Sequence, residues 1–124
     1  MVGPISDAES HVMDVLWEGS PRTADEVVAA LSERRAWQEA TVKTLLNRLL
    51  KKGAIRADKE GRRFLYSPVL TREQWVAEES TGLVDRLFGG RIAPLVAHFG
   101  QHRKLDKEDL EELTRLIEGL RDDA

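Results

Sequence analysis

The feature that most restricts the architecture of this chain is an abrupt change of period at Gly53. Upstream, residues 39–52 carry Val42, Leu45, Leu46, Leu49 and Leu50 at helical spacing, and Gly53 suits the left-handed position that closes a helix. Downstream, residues 54–58 and 63–69 are short, partly alternating runs around Lys59-Glu60-Gly61-Arg62, the pattern of a two-stranded hairpin with glycine at its turn. A helix that runs straight into a hairpin leaves few ways to pack. Two more helices precede it, because Ser6-Asp7-Ala8-Glu9 and Thr23-Ala24-Asp25-Glu26 each offer a hydroxyl to cap a helix and a Glu that reaches back to the cap. Val12, Met13, Leu16 and Trp17 follow the first signal until Gly19-Ser20-Pro21 interrupts, and Val27, Val28 and Leu31 follow the second. Three helices and a hairpin in this order predict a winged helix-turn-helix over residues 1–70.

Beyond Leu70 the pattern is helical only. Thr71-Arg72-Glu73-Gln74 repeats the capping signal and opens a helix with Trp75, Val76, Ala77, Leu83, Val84, Leu87 and Phe88, weakened or bent in its middle by Gly82 and ended by Gly89-Gly90. Ile92, Leu95, Val96 and Phe99 begin another, with Pro94 tolerated in its first turn, and Asp106 caps a last helix bearing Leu110, Leu113, Leu116, Ile117 and Leu120. No sheet or core of their own covers these stripes, and a second copy of the chain is the simplest cover. Residues 71–124 therefore predict a helical dimerisation domain, with an interface drawn from Trp75, Leu83, Leu87, Phe88, Ile92, Leu95, Val96, Phe99, Leu110, Leu113, Leu116, Ile117 and Leu120. The fold class is mainly α with a small β-hairpin, an α+β chain.

Composition narrows the function. With 41% hydrophobic and 33% charged residues in 124, the chain suits a folded, soluble protein. The absence of cysteine excludes disulfides, thiolate metal sites and cysteine nucleophiles. No stretch approaches the roughly 20 apolar residues of a membrane span, and the first ten residues lack a basic segment followed by an apolar one, so the expected compartment is the cytoplasm. The net charge of -3 conceals a strong polarity: residues 43–63 hold eight Lys and Arg against two acids, whereas residues 106–124 hold eight acids against three bases. The basic centre is a candidate polyanion surface.

The third helix carries that charge on one side. Thr41, Lys43, Thr44, Asn47, Arg48 and Lys51 lie opposite its apolar stripe, with no carboxylate beyond Glu39. Arg and Asn read base edges in the major groove while Thr and Lys hold phosphates, so this is a candidate recognition helix. Lys59, Arg62 and Arg63 around Gly61 form a candidate wing for the phosphate backbone or minor groove. An ordinary solvated amphipathic helix and a charged, edge-protecting hairpin are the plainer readings of each feature taken alone; together they favour duplex binding. The alternative is a winged-helix module that docks a protein and never touches DNA. Trp17, Trp37, Phe64 and Tyr66 read as core or sheet-packing residues, since they do not alternate with cations as single-strand binders require. His98 and His102 have the spacing of a helical metal-ligand pair, yet Gly100 lies between them and no third ligand is evident, so no metal or other cofactor is assigned. No nucleophile elbow, phosphate loop or zinc-protease motif occurs, and no catalytic residue is assigned.

Over nearly its full length the chain resembles the penicillinase-repressor family, the bacterial repressors of β-lactamase and methicillin-resistance genes, which also contains copper-responsive members. The resemblance is carried by ISDAESHVMDVLW at residues 5–17, TVKTLLNRLLKKG at 41–53, Glu60-Gly61-Arg62 and Tyr66-Ser67-Pro68 in the hairpin, Leu87-Phe88-Gly89-Gly90, and Leu95-Val96-Ala97-His98-Phe99. It implies a homodimeric winged-helix repressor on a palindromic operator in double-stranded DNA. Groove contacts would fall to Thr41, Lys43, Thr44, Asn47 and Arg48, and phosphate contacts to Lys51, Lys52, Arg62 and Arg63. Three departures are visible. Members induced by β-lactams are similar in carrying an Asn-Phe bond that a membrane sensor protease causes to be cut, and here the corresponding pair is His98-Phe99. Copper-responsive members have a cysteine-rich C-terminus, which this chain lacks. Gln38-Glu39 also stands where the family often starts its recognition helix with Ser-Pro.

Overall fold

The computed structural model describes residues 2–123, so the outer ends of the two expected domains, residues 1 and 124, lie outside the described residues. Its elements run α1 (Asp7–Glu18), α2 (Ala24–Arg35), α3 (Glu39–Lys52), β1 (Ile55–Glu60), β2 (Arg63–Pro68), α4 (Arg72–Phe88), α5 (Ile92–Gln101) and α6 (Lys107–Asp122). The starts follow the capping chemistry. Ser6 and Glu9 form a reciprocal box at α1, Thr23 and Glu26 do so at α2, and the Thr71 and Gln74 side chains accept each other's backbone N–H at α4. Asp106 caps α6 by accepting from the Asp109 N–H at 2.8 Å. Helix α4 passes through Gly82 without interruption.

Two compact units divide the chain, one running to Val76 and the other beginning at Ala77. In the first, Val12, Met13, Val15 and Leu16 of α1 close on Val27 and Leu31 of α2 and on Val42, Leu45, Leu46 and Leu49 of α3, with Ile5, Ala54, Ile55 and Leu70 completing the core. Gly53 ends α3 at φ +77°, donating to the Leu49 and Leu50 carbonyls, and turns the chain at once into β1. β1 and β2 pair antiparallel from Ile55↔Pro68 to Glu60↔Arg63, leaving a two-residue turn in which Gly61 supplies a φ of +64°. A third segment joins the sheet unexpectedly. Arg22 and Tyr66 exchange both backbone hydrogen bonds, at 3.0 and 2.7 Å, and so tie the α1–α2 connection to β2.

The first turn of α4, with Trp75, goes with the first unit. The sequence reading placed Trp75 in the dimer interface; the structure packs it partly buried against the first unit's core, its ring tilted on Trp17 with centroids 5.5 Å apart. Trp17 in turn donates from Nε1 to the Leu70 carbonyl at 2.9 Å. The other unit leaves its apolar stripes uncovered. Among the described residues none in α4, α5 or α6 is buried, and Leu87, Ile92 and Leu120 are 61%, 64% and 70% exposed.

Candidate nucleic-acid interface

Helix α3 is built to present one face. Val42, Leu45, Leu46 and Leu49 are fixed in the core and Leu50 packs against it, so Thr41, Lys43, Thr44, Asn47, Arg48 and Lys51 are all carried outward and exposed. Among the described residues, no side-chain hydrogen bond or ion pair engages Thr41, Asn47, Arg48 or Lys51. Thr44 donates its hydroxyl to the Ala40 carbonyl at 2.9 Å, which leaves its oxygen as an acceptor. Lys43 pairs with Glu39 one turn back at 2.9 Å, and that hydrogen bond and charge hold its ammonium above the usual lysine range. The face therefore offers one amide, two hydroxyls and three cations, with its single carboxylate confined to the first turn.

Lys52 is placed differently from the phosphate-contact role the sequence suggested. Its ammonium turns inward, donating to Glu9 Oε1 at 2.5 Å and to the Pro4 carbonyl at 2.8 Å. Glu9 is buried, and its Oε1 also accepts the Ser6 N–H at 2.8 Å, so one carboxylate both caps α1 and anchors the last turn of α3. Burial pushes the Glu9 carboxyl upward; the Lys52 hydrogen bond, the Ser6 N–H and hydroxyl and the Lys52 charge together outweigh it and hold the group below the usual carboxylate range.

At the hairpin tip Lys59, Arg62 and Arg63 are all exposed. Arg63 stands 4.0 Å from Glu60, and Arg56 pairs with Asp58 at 3.2 Å along β1. Tyr66 and Trp37 pack against the core, as does Trp17. Phe64 does not. It is 48% exposed on β2, in the second pair from the turn. The histidine rings of His98 and His102 lie 4.5 Å apart by centroid, and among the described residues no group of three metal-binding side chains includes them.

The start of α3 has no side-chain cap. Gln38 occupies the N-cap position without any side-chain hydrogen bond to the helix. Gln38→Ser supplies a short hydroxyl that reaches the Thr41 N–H, and it is expected to add about 1 kcal/mol, raising the melting temperature by roughly 4–8 °C for a unit of this size. A thermal melt unchanged from wild type would contradict this account of the terminus.

A sequence model of the penicillinase repressor family matches residues 5–119. The penicillinase repressor of Bacillus licheniformis is 36% identical over 114 residues, covering 92% of this chain and 89% of its own. The methicillin resistance regulatory protein MecI of Mammaliicoccus sciuri is 27% identical over 113 residues, covering 91% of this chain and 92% of its own. Among solved structures, the monomeric form of Bacillus licheniformis BlaI in complex with the blaP half-operator superposes with a TM-score of 0.53 at 42% identity, covering 60% of this chain and 90% of that one. On the full-length match and the winged-helix unit that accompanies it, the chain belongs to the penicillinase repressor family.

Proposed function

We propose that this protein is a homodimeric repressor that occupies a palindromic operator in promoter DNA, in the cytoplasm, and blocks transcription without performing chemistry on the duplex. The observation that carries the reading is the outward face of α3, whose Thr41, Asn47, Arg48 and Lys51 are exposed and unengaged among the described residues. The relative's complex with a half-operator supplies the analogy for one winged-helix unit per half-site. Two copies are called for by residues 77–123, whose apolar side chains find no interior within the chain. Joining two half-site contacts raises operator affinity by mass action alone.

Footprinting on the DNA upstream of the chain's own gene and its neighbours tests the reading. A protected dyad with half-sites one helical turn, or a multiple of it, apart is expected; equal binding to operator and random duplex removes the sequence-reading role. The dimer is tested separately. Leu87→Glu combined with Ile117→Glu is expected to sediment as a monomer at micromolar concentration and to bind the operator roughly 100-fold more weakly. A wild-type protein that sediments as a monomer under the same conditions contradicts the assembly.

A further inference from the structure

Phe64 is an aromatic side chain that the fold leaves without a partner: it is 48% exposed, and among the described residues no ring pairs with it. In the hairpin register Phe64 stands opposite Lys59, Tyr66 opposite Ala57, and Pro68 opposite Ile55, so all six share one face of the sheet. Burial along that face declines steadily. Ile55 is in the core, Tyr66 packs against it, and Phe64 overhangs it beside the Gly61-Arg62 turn. The overhanging ring is thus on the sheet face that Ile55 and Tyr66 turn to the core, and the opposite face carries Arg63 and Leu65.

We infer that Phe64 is an apolar wedge for the minor groove: with α3 in the major groove, the hairpin tip carries the ring between the sugar walls of the neighbouring minor groove and partly unstacks one base step. This inference rests on the duplex-binding reading above. The groove walls are deoxyribose C–H surface, which accepts an aromatic ring, and Lys59 opposite Phe64 and Arg62 in the adjoining turn bring charges suited to the flanking phosphates. Pyrimidine–purine steps unstack most readily, so sequence preference extends to such a step beyond the bases within reach of α3.

The test uses the full-length protein and duplexes it selects from a random pool. Affinity, its salt dependence and the fluorescence of 2-aminopurine placed at the flanking step are measured for wild type, Phe64→Ala and Phe64→Leu. Phe64→Ala is expected to bind the selected duplex about tenfold more weakly or worse. It keeps the wild-type salt slope but loses both the flanking-step preference and the 2-aminopurine brightening, whereas Phe64→Leu retains most of the affinity. Lys59→Ala, by contrast, is expected to lower the salt slope by about one. Unchanged affinity and brightening in Phe64→Ala overturn the wedge and leave the repressor reading intact. An equal loss on selected and scrambled duplexes with a shallower salt slope overturns it too, because that is the mark of a displaced cationic wing. Should Phe64→Ala melt early, the comparison of Phe64→Leu with Phe64→Gln carries the same decision at similar side-chain volume. A wild-type protein that selects no sequence overturns the duplex reading itself.

Discussion

An Arg48→Ala protein is expected to bind its operator scarcely better than a scrambled duplex while melting at the wild-type temperature. Arg48 lies on the exposed face of α3 and is held by no ion pair among the described residues, so its removal leaves the core untouched. What it removes is a planar fork of donors matched to the O6 and N7 acceptors of guanine, worth about 1–3 kcal/mol of discrimination at each half-site. Two half-sites bring the loss to about 2–6 kcal/mol, roughly 30-fold to 20,000-fold in preference. Binding to any duplex should survive, because Lys51, Lys59 and Arg62 remain to meet phosphates. Titrations of selected and scrambled duplexes at one fixed salt concentration check this, and a variant that loses affinity equally for both would assign Arg48 to the backbone.

The second large effect is on stability. Lys52→Met leaves the Glu9 carboxylate buried with its Oε2 already without a partner, and only the Ser6 N–H remains to donate to the charge. Removing one member of such a pair costs about 3 kcal/mol at a site where the lysine retains some access to water. The melting temperature is expected to fall on the order of 15 °C. The double replacement Glu9→Gln with Lys52→Met should recover much of the loss, since no uncompensated charge then remains inside. The pH dependence distinguishes the two proteins. In wild type the Glu9 carboxyl is held below its ordinary value of 4.5, so its contribution is present above that value and lost as pH falls through the lowered one. Without Lys52 the strongest lowering influence is gone while burial still pushes the carboxyl upward, so acidification from neutral pH should cost the variant less stability than it costs wild type. Parallel pH profiles for the two proteins would refute this account of the pair.

Much of the fold was legible because its signals are local. The boxes at Ser6, Thr23 and Thr71 mark helix starts, and Gly53 and Gly61 mark the turns that place the hairpin against α3. The exposed set on α3 was legible for the same reason: an apolar stripe at 3.6-residue spacing determines what stands opposite it. The departures all depend on contacts between distant segments. Arg22 and Tyr66 pair through a single residue on each side, which leaves no periodic trace. Lys52 lies on the polar arc of α3, but a capping glutamate 43 residues earlier draws it inward, and nothing in the Ser6–Glu9 pattern distinguishes a buried box from a solvated one. Trp75 reads as part of an apolar helix stripe, and only the position of Trp17 shows that the stripe's first member belongs to the other unit. Phe64 shares its face with Tyr66, so alternation suggests the same cover for both, and the length of the hairpin decides otherwise.

The lack of any buried residue in α5 and α6 among the described residues bears on how steeply such a regulator responds to its own abundance. In the proposed dimer, helices that gain an interior by meeting their twins couple folding to association, so occupancy of a two-copy site varies with the square of the protomer concentration when dimers are scarce. A small decline in cellular copy number then empties the promoter over a narrow range, giving threshold behaviour that a self-sufficient monomer lacks.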